Sequence, residues 1–247
     1  MKAQLRAELL KLRSTRTGLG LFAAMIGLVL LAVLLHSLLP AEALGSRNNQ
    51  LTVLGRGEFL GALFGALLGA LSVTTEIRHG TIRPTFLITP RRGRVVWAKV
   101  AASVLAGAGF GLVAGGFAVA AGVAALRVRG IDVRLDGREY ALLVAGSAAA
   151  AALWAAIGVG VGALVRHQVP VVVGICAWLL FVEGLLVGDL AGLGDVFKFL
   201  PGSAAAAISG QEPGTLLAPA VGLVLLAVYA AAAALAGLFA IRHRDVG

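Results

Sequence analysis

Between Glu76 and Lys99 the chain reads EIRHGTIRPTFLITPRRGRVVWAK, its densest mixture of cations and large apolar residues. The stretch is too charged to cross a bilayer and too apolar for a solvated linker. Thr81 is placed to cap a short helix carrying Ile82 and Phe86 one turn apart. Gly80 and Pro90 bracket that helix, and Pro84 falls in its first turn, where proline is tolerated. Two uses suit such a helix. It rests on lipid headgroups through Trp97 and the Arg91, Arg92 and Arg94 cluster, or it inserts Ile82 and Phe86 into a groove on a cytosolic protein while Arg78 and Arg83 face acidic groups at the rim.

Other chemistries lack their residues. No G-x-x-x-x-G-K-[ST] phosphate loop and no H-E-x-x-H zinc motif occurs. His36, His79, His167 and His243 are scattered without ligand spacing, and the single Cys176 has no partner for an intrachain disulfide. Ser147 has no histidine at similar depth in a neighbouring apolar run, which argues against a serine nucleophile. The glycines around Gly107 do not follow a strand, so they do not read as a dinucleotide loop. No cofactor and no metal is expected. Glu58 and Glu183 sit at the outer ends of apolar runs, close enough to the interface to be hydrated, and are not read as a substrate site.

The elements that must carry these residues are membrane helices. Of 247 residues, 59% are hydrophobic and 13% charged, whereas a soluble domain has roughly 45–50% and about 25%. Six runs approach or exceed the length of a span: 17–39, 59–75, 100–126, 140–165, 169–187 and 215–241. The expected fold is therefore all-α, a polytopic membrane protein with six transmembrane helices forming one domain over residues 1–247, without room for a soluble enzyme domain besides. The first run is longer than a signal-peptide core and reads as a span.

The net charge of +9 is explained by topology. Fourteen of the 21 Lys and Arg residues fall in the N-terminus, the 76–99 segment, the 166–168 turn and the C-terminus. Basic residues accumulate on the cytoplasmic side, which puts both termini there and leaves nucleic acid the weaker explanation. Leu5, Leu9 and Leu12 recur at helical spacing ahead of the first span, with Lys2, Arg6 and Arg13 on other faces, marking an amphipathic surface helix. That helix is an anchor, or it also touches a cytosolic partner.

Gly61, Gly65 and Gly69 repeat every fourth residue in the second run, Gly111 and Gly115 in the third, and Gly158 and Gly162 in the fourth. Small residues at this spacing let helix backbones approach closely in lipid. Between the last two runs, residues 183–214 alternate charges with apolar stretches too short to cross, which suits re-entrant or interfacial structure and leaves an ordinary external loop open. The halves show no convincing internal repeat, which weighs against carriers built on inverted repeats.

The chain resembles the membrane-spanning permease subunits of ABC-2 type ABC transporters. The resemblance is carried by Glu8-Leu-Leu-Lys-Leu-Arg-Ser-Thr-Arg-Thr17, by Thr75-Glu-Ile-Arg-His-Gly-Thr-Ile-Arg-Pro84 with Pro90-Arg-Arg92 and Ala98-Lys99, and by Phe199-Leu-Pro-Gly-Ser-Ala204. It implies an ATPase-coupling region of Glu76, Ile77, Arg78, Gly80, Thr81, Ile82, Arg83 and Phe86, and a re-entrant segment including Pro201 and Gly202. It also implies a separate ATPase subunit, a second permease copy or paralogue, a bacterial plasma membrane, and export of a hydrophobic or amphiphilic substrate by a subunit that is not itself an enzyme. The readings that compete are an ion-coupled carrier and a membrane-embedded enzyme.

The topology makes a labelling prediction. In a Cys176→Ser background, single cysteines in 40–57, 127–139 and 189–214 react with an impermeant reagent added outside intact cells. A cysteine at position 91 does not; its labelling from outside would overturn the orientation.

Overall fold

A computed structural model describes residues 2–81, 92–183, 196–212 and 214–243. Among these residues all regular structure is helical. The elements are α1 (Lys2–Ser14), α2 (Arg16–Ser37), α3 (Ala41–Leu44), α4 (Arg47–Leu54), α5 (Arg56–Arg78), α6 (Arg92–Val128), α7 (Gly137–Val165), α8 (Gln168–Ala177), α9 (Pro201–Ile208) and α10 (Pro219–His243). A π-helical turn, Trp178–Val182, continues α8.

Five helical stretches are long and apolar enough to cross a membrane: α2, α4 with α5, α6, α7 and α10. The stretch Gln168–Val182 is apolar but shorter, and its expected continuation to 187 lies outside the described residues. The helices differ from the expected runs chiefly at their ends. α6 begins at Arg92 rather than near 100, so Lys99 stands two turns inside a helix and not in a loop. The expected external loop 40–57 is largely helical, and its Gln50 is fully buried. Gln50 donates to the Leu44 and Asp132 carbonyls (both 2.9 Å) and accepts from the Arg134 amide (2.9 Å), fastening α4 to the 130–135 connection.

Local signals explain several helix ends. Thr15 caps α2 by accepting from the Gly18 amide (3.3 Å). Asp136 and Glu139 form a reciprocal capping box at the start of α7: the Glu139 amide donates to Asp136 Oδ1 (2.8 Å) and the Asp136 amide to Glu139 Oε2 (2.9 Å). Gly80, at φ +69°, follows the end of α5 in a left-handed conformation that costs glycine nothing.

α5 is the centre of the bundle. Of its most apolar window, counted with α4, 72% is buried, against 17% for α2. Its most extensive neighbours are α7 and then α6. Contact is made backbone to backbone. A Cβ on Gly65 would lie 2.6 Å from the Ala151 carbonyl oxygen, and one on Gly162 would lie 2.8 Å from that of Ala70. Gly69 meets the Ala155 carbonyl and Gly158 the Ala66 carbonyl, both closer still, while Gly61 approaches Gly111 Cα at 3.1 Å. Gly111 and Gly115 of α6 face Ser147 of α7. α10 joins the outer side of α7 through Gly237 against Gly160.

Large apolar side chains cover the outside. Leu28, Leu31, Leu34 and Leu35 of α2, Leu105 and Leu112 of α6, and Val224, Leu235 and Phe239 of α10 are all exposed. Contiguous apolar surface on this scale is untenable in water and natural in lipid. The chain is a membrane-embedded helical protein.

The two classes of glycine predict opposite responses. Gly69→Ala puts a methyl into the α7 backbone and lowers stability by about 1–3 kcal/mol. Gly109, whose Cβ would meet nothing within 4 Å, gains up to about 1 kcal/mol of helix propensity as alanine. Thermal unfolding in detergent checks both, with a lower Tm for the first variant and an unchanged or higher Tm for the second.

Candidate functional site

Three helices meet at the face of the bundle that carries the N-terminus, and four charged residues hold them together. The α1 face that carries Leu5, Leu9 and Leu12 also carries Glu8, and that face turns inward. Lys99, on α6, has a side chain only 4% exposed. Its ammonium donates to Glu8 Oε2 (2.7 Å) and to the carbonyl of Ser72 (3.1 Å), and it pairs with Glu76 Oε1 at 2.7 Å. Lys11, one turn after Glu8 on α1, donates to Glu8 Oε1 (2.7 Å) and Glu76 Oε1 (2.9 Å). Two carboxylates and two ammoniums thus form a closed, neutral quartet linking α1, the end of α5 and the beginning of α6.

Removing a carboxylate from water is costly unless opposite charge and hydrogen bonds replace the lost hydration. Both replacements are present. Burial pushes the Glu8 carboxyl up, but the ammonium groups of Lys99 and Lys11 outweigh it and hold the group below its ordinary 4.5. For Lys11, burial pulls the ammonium down, and the Glu8 and Glu76 carboxylates hold it above its ordinary 10.5. Among the described residues, Glu76 Oε2 is buried without a hydrogen-bond partner.

The quartet sits at both ends of the 82–91 segment. Glu76 precedes that segment by about one and a half helical turns, and Lys99 follows it by about two. Of the residues expected in the coupling region, Ile77 packs against the main apolar core. Arg78 is exposed and donates to Gln168 Oε1 (3.2 Å) at the start of α8. The Thr81 hydroxyl donates back to the Glu76 carbonyl (3.4 Å), which belongs to the end of α5. Ile82, Arg83 and Phe86 lie outside the described residues.

At the opposite face, Pro201 and Gly202 form the first turn of α9, an eight-residue helix too short to span and packed on α10 and α7. The Gly202 amide donates to Glu183 Oε1 (3.0 Å), and so does Trp178 Nε1 (2.6 Å). Glu58 accepts from Gln211 Nε2 (3.1 Å). Neither carboxylate is hydrated as its place near the interface suggests: Glu58 is 3% exposed and Glu183 7%. The short helix α9 and the 209–211 turn close over them, and hydropathy does not register that.

Both lysines and both acids of the quartet lie within the segments that carry the resemblance, but nothing in their spacing joins them. A signal was available. Within the four basic segments, Glu8 and Glu76 are the only acidic residues ahead of Asp245, and isolated acids among so many cations have a partner at hand.

No protein-family model matches the chain, and no curated protein matches it.

The quartet predicts an unequal pair of lysine variants. Lys99→Ala leaves two buried carboxylates with half their counter-charge and costs about 3–5 kcal/mol, whereas Lys11, with 46% of its side chain exposed, costs about 1 kcal/mol or less. The pH dependence has two edges. Glu8 contributes fully above pH 4.5 and loses its contribution as pH falls through its depressed folded value; Lys11 contributes fully below pH 10.5 and loses it as pH rises through its raised one. The protection of residues 2–14 against amide hydrogen exchange, taken relative to the intrinsic rate at each pH, therefore stays high between these limits and falls beyond either; no protection at neutral pH would mean that α1 is not docked.

Proposed function

We propose that this chain is the membrane-spanning permease subunit of an ATP-driven transporter of the ABC-2 type. Its hydrolytic power comes from a separate ATPase, and the 76–89 region docks on that subunit. In this reading Gln168–Val182, with the residues after it, completes a sixth span, α9 is re-entrant, both termini are cytoplasmic, and two permeases of the same or different kind surround an export path for a hydrophobic or amphiphilic substrate.

The observation that carries the reading is the ion quartet. A cytosolic motor must pass force through the segment between α5 and α6. Glu76 and Lys99 clamp the two ends of that segment together, and Glu8 and Lys11 add α1 to the same rigid junction. A push on 82–91 is therefore delivered to α5, the most buried helix, and α6, the longest, as one body. The resemblance in the three quoted motifs supports the same assignment.

One observation favours a second reading. Glu58 and Glu183 are buried carboxylates at the opposite face, and a buried ionisable residue at membrane depth is a default candidate for ion coupling. An ion-coupled carrier would transport in vesicles without any ATPase and lose activity in Glu58→Gln.

The docking surface separates the readings. Removing a buried aromatic anchor from an interface costs about 2 kcal/mol or more, whereas rim charges act chiefly on association rate. Co-purified in detergent with the ATPase subunit that this reading requires, the parent chain retains the ATPase, Phe86→Ala loses most of it, and Arg83→Ala loses little. Equal retention by Phe86→Ala and the parent excludes docking through this face.

A further inference from the structure

Between α1, α2 and α5, next to the quartet, lies a cavity of about 330 Å³, large enough for a small ligand. Its lining is ordered by depth. On α5 the residues run from Leu68 and Leu71 to Ser72, Thr75 and Glu76, and on α2 the apolar Leu21 lies one turn inside Thr17. Both walls therefore change from apolar to polar in the same direction, toward the N-terminal face. Leu68 to Glu76 covers about 12 Å along the helix axis, the length of a polar head with the first part of an acyl or alkyl chain.

The charges at the polar end select the head. Glu8, Glu76 and Lys11 line it. Lys99 stands behind the carboxylates, and its three donors are taken by Glu8, Glu76 and the Ser72 carbonyl. Lys11 spends two donors on the same acids and is half exposed, so it can swing out to solvent. Two of the lining hydroxyls already have acceptors, Ser72 in the Gly69 carbonyl (2.7 Å) and Thr81 in the Glu76 carbonyl (3.4 Å). An anionic head would meet two carboxylates and a single committed ammonium. A cationic donor would take the place of Lys11 and keep the quartet neutral.

We propose that this cavity is a binding site for an amphiphile with a primary ammonium head, the head between Glu8 and Glu76 and the chain along Leu21, Leu68 and Leu71. Such a molecule reaches the site as a bilayer aminolipid or as a free cationic amphiphile. The inference needs only that the N-terminal face lies at a membrane boundary; it does not rest on the transport reading.

Photolabelling tests it. The parent chain, in phosphatidylcholine nanodiscs, is irradiated with dodecylamine bearing a diazirine in its chain, and labelled peptides are mapped by mass spectrometry. Labels are expected on 8–21 and 68–81, reduced several-fold by unlabelled dodecylamine and by Thr17→Trp, which fills the mouth of the cavity. A dodecyl sulfate probe with the same diazirine is expected to label these peptides several-fold less. Adding phosphatidylethanolamine to the nanodisc separates the sources: competition identifies a bilayer aminolipid, and its absence, with competition by dodecylamine retained, identifies a free amphiphile. Equal labelling by the sulfate probe, labels elsewhere, or labels undiminished by dodecylamine on the parent chain would each overturn the proposal. The competition arm uses no variant, so it stands even if Thr17→Trp does not fold.

Discussion

Helices in lipid gain nothing from burying apolar surface against one another, because the lipid is as apolar as they are. What remains is close packing of atoms, which falls off within a fraction of an ångström. The architecture depends on how near α5 and α7 can come. Gly65 and Gly69 on one helix and Gly158 and Gly162 on the other remove every side-chain atom that would hold the axes apart, and alanine carbonyls of each fill the space. α6 joins through Gly107 and Gly111, and α10 through Gly237. With this centre fixed, the leucine-rich faces of α2 and α10 are left for lipid.

The quartet solves a different problem with different chemistry. α1 is an amphipathic helix with cations on its outer faces, and headgroup attraction alone would let it slide over the membrane surface. Glu8 gives it a fixed register, because a buried carboxylate is tolerated only where Lys99 and Lys11 meet it. The stabilisation is small compared with the specificity. Desolvation offsets much of the Coulomb attraction, but any other placement of α1 strands a charge. The same junction ties the two ends of the 82–91 segment, so a rigid contact and a route for force are one arrangement.

At the opposite face, too, polar contacts join elements far apart in the chain, among them Gln50 to the 130–135 connection and Arg47 of α4 to Glu139 of α7. Glu183 draws the start of α9 to the end of the α8 stretch through the Gly202 amide and Trp178. Glu58 is met by Gln211, just beyond α9. A short helix too brief to span is thereby held against α7 and α10, with buried carboxylates at each of its ends. The buried acids of the two faces differ accordingly: Glu8 and Glu76 are met by ammonium groups, Glu58 and Glu183 by uncharged donors.

Much of this was legible in the amino-acid sequence, because bilayer thickness and helix rise turn composition into element lengths. The apolar runs gave the long helices nearly in place, Gly61 to Gly69 announced a packing face, and Leu5, Leu9 and Leu12 announced α1. Periodicity could not say which helix each glycine face meets, since every fourth-residue stripe is equivalent until the helices are arranged. Nor could it find the quartet, whose members lie 3 to 91 residues apart and become neighbours only when α1 folds back on the ends of α5 and α6. The burial of Glu58 and Glu183 is likewise a tertiary fact. Hydropathy measures a residue's own cost of leaving water, whereas burial depends on what closes over it, and here that cover is supplied by α9 and Gln211 from far along the chain.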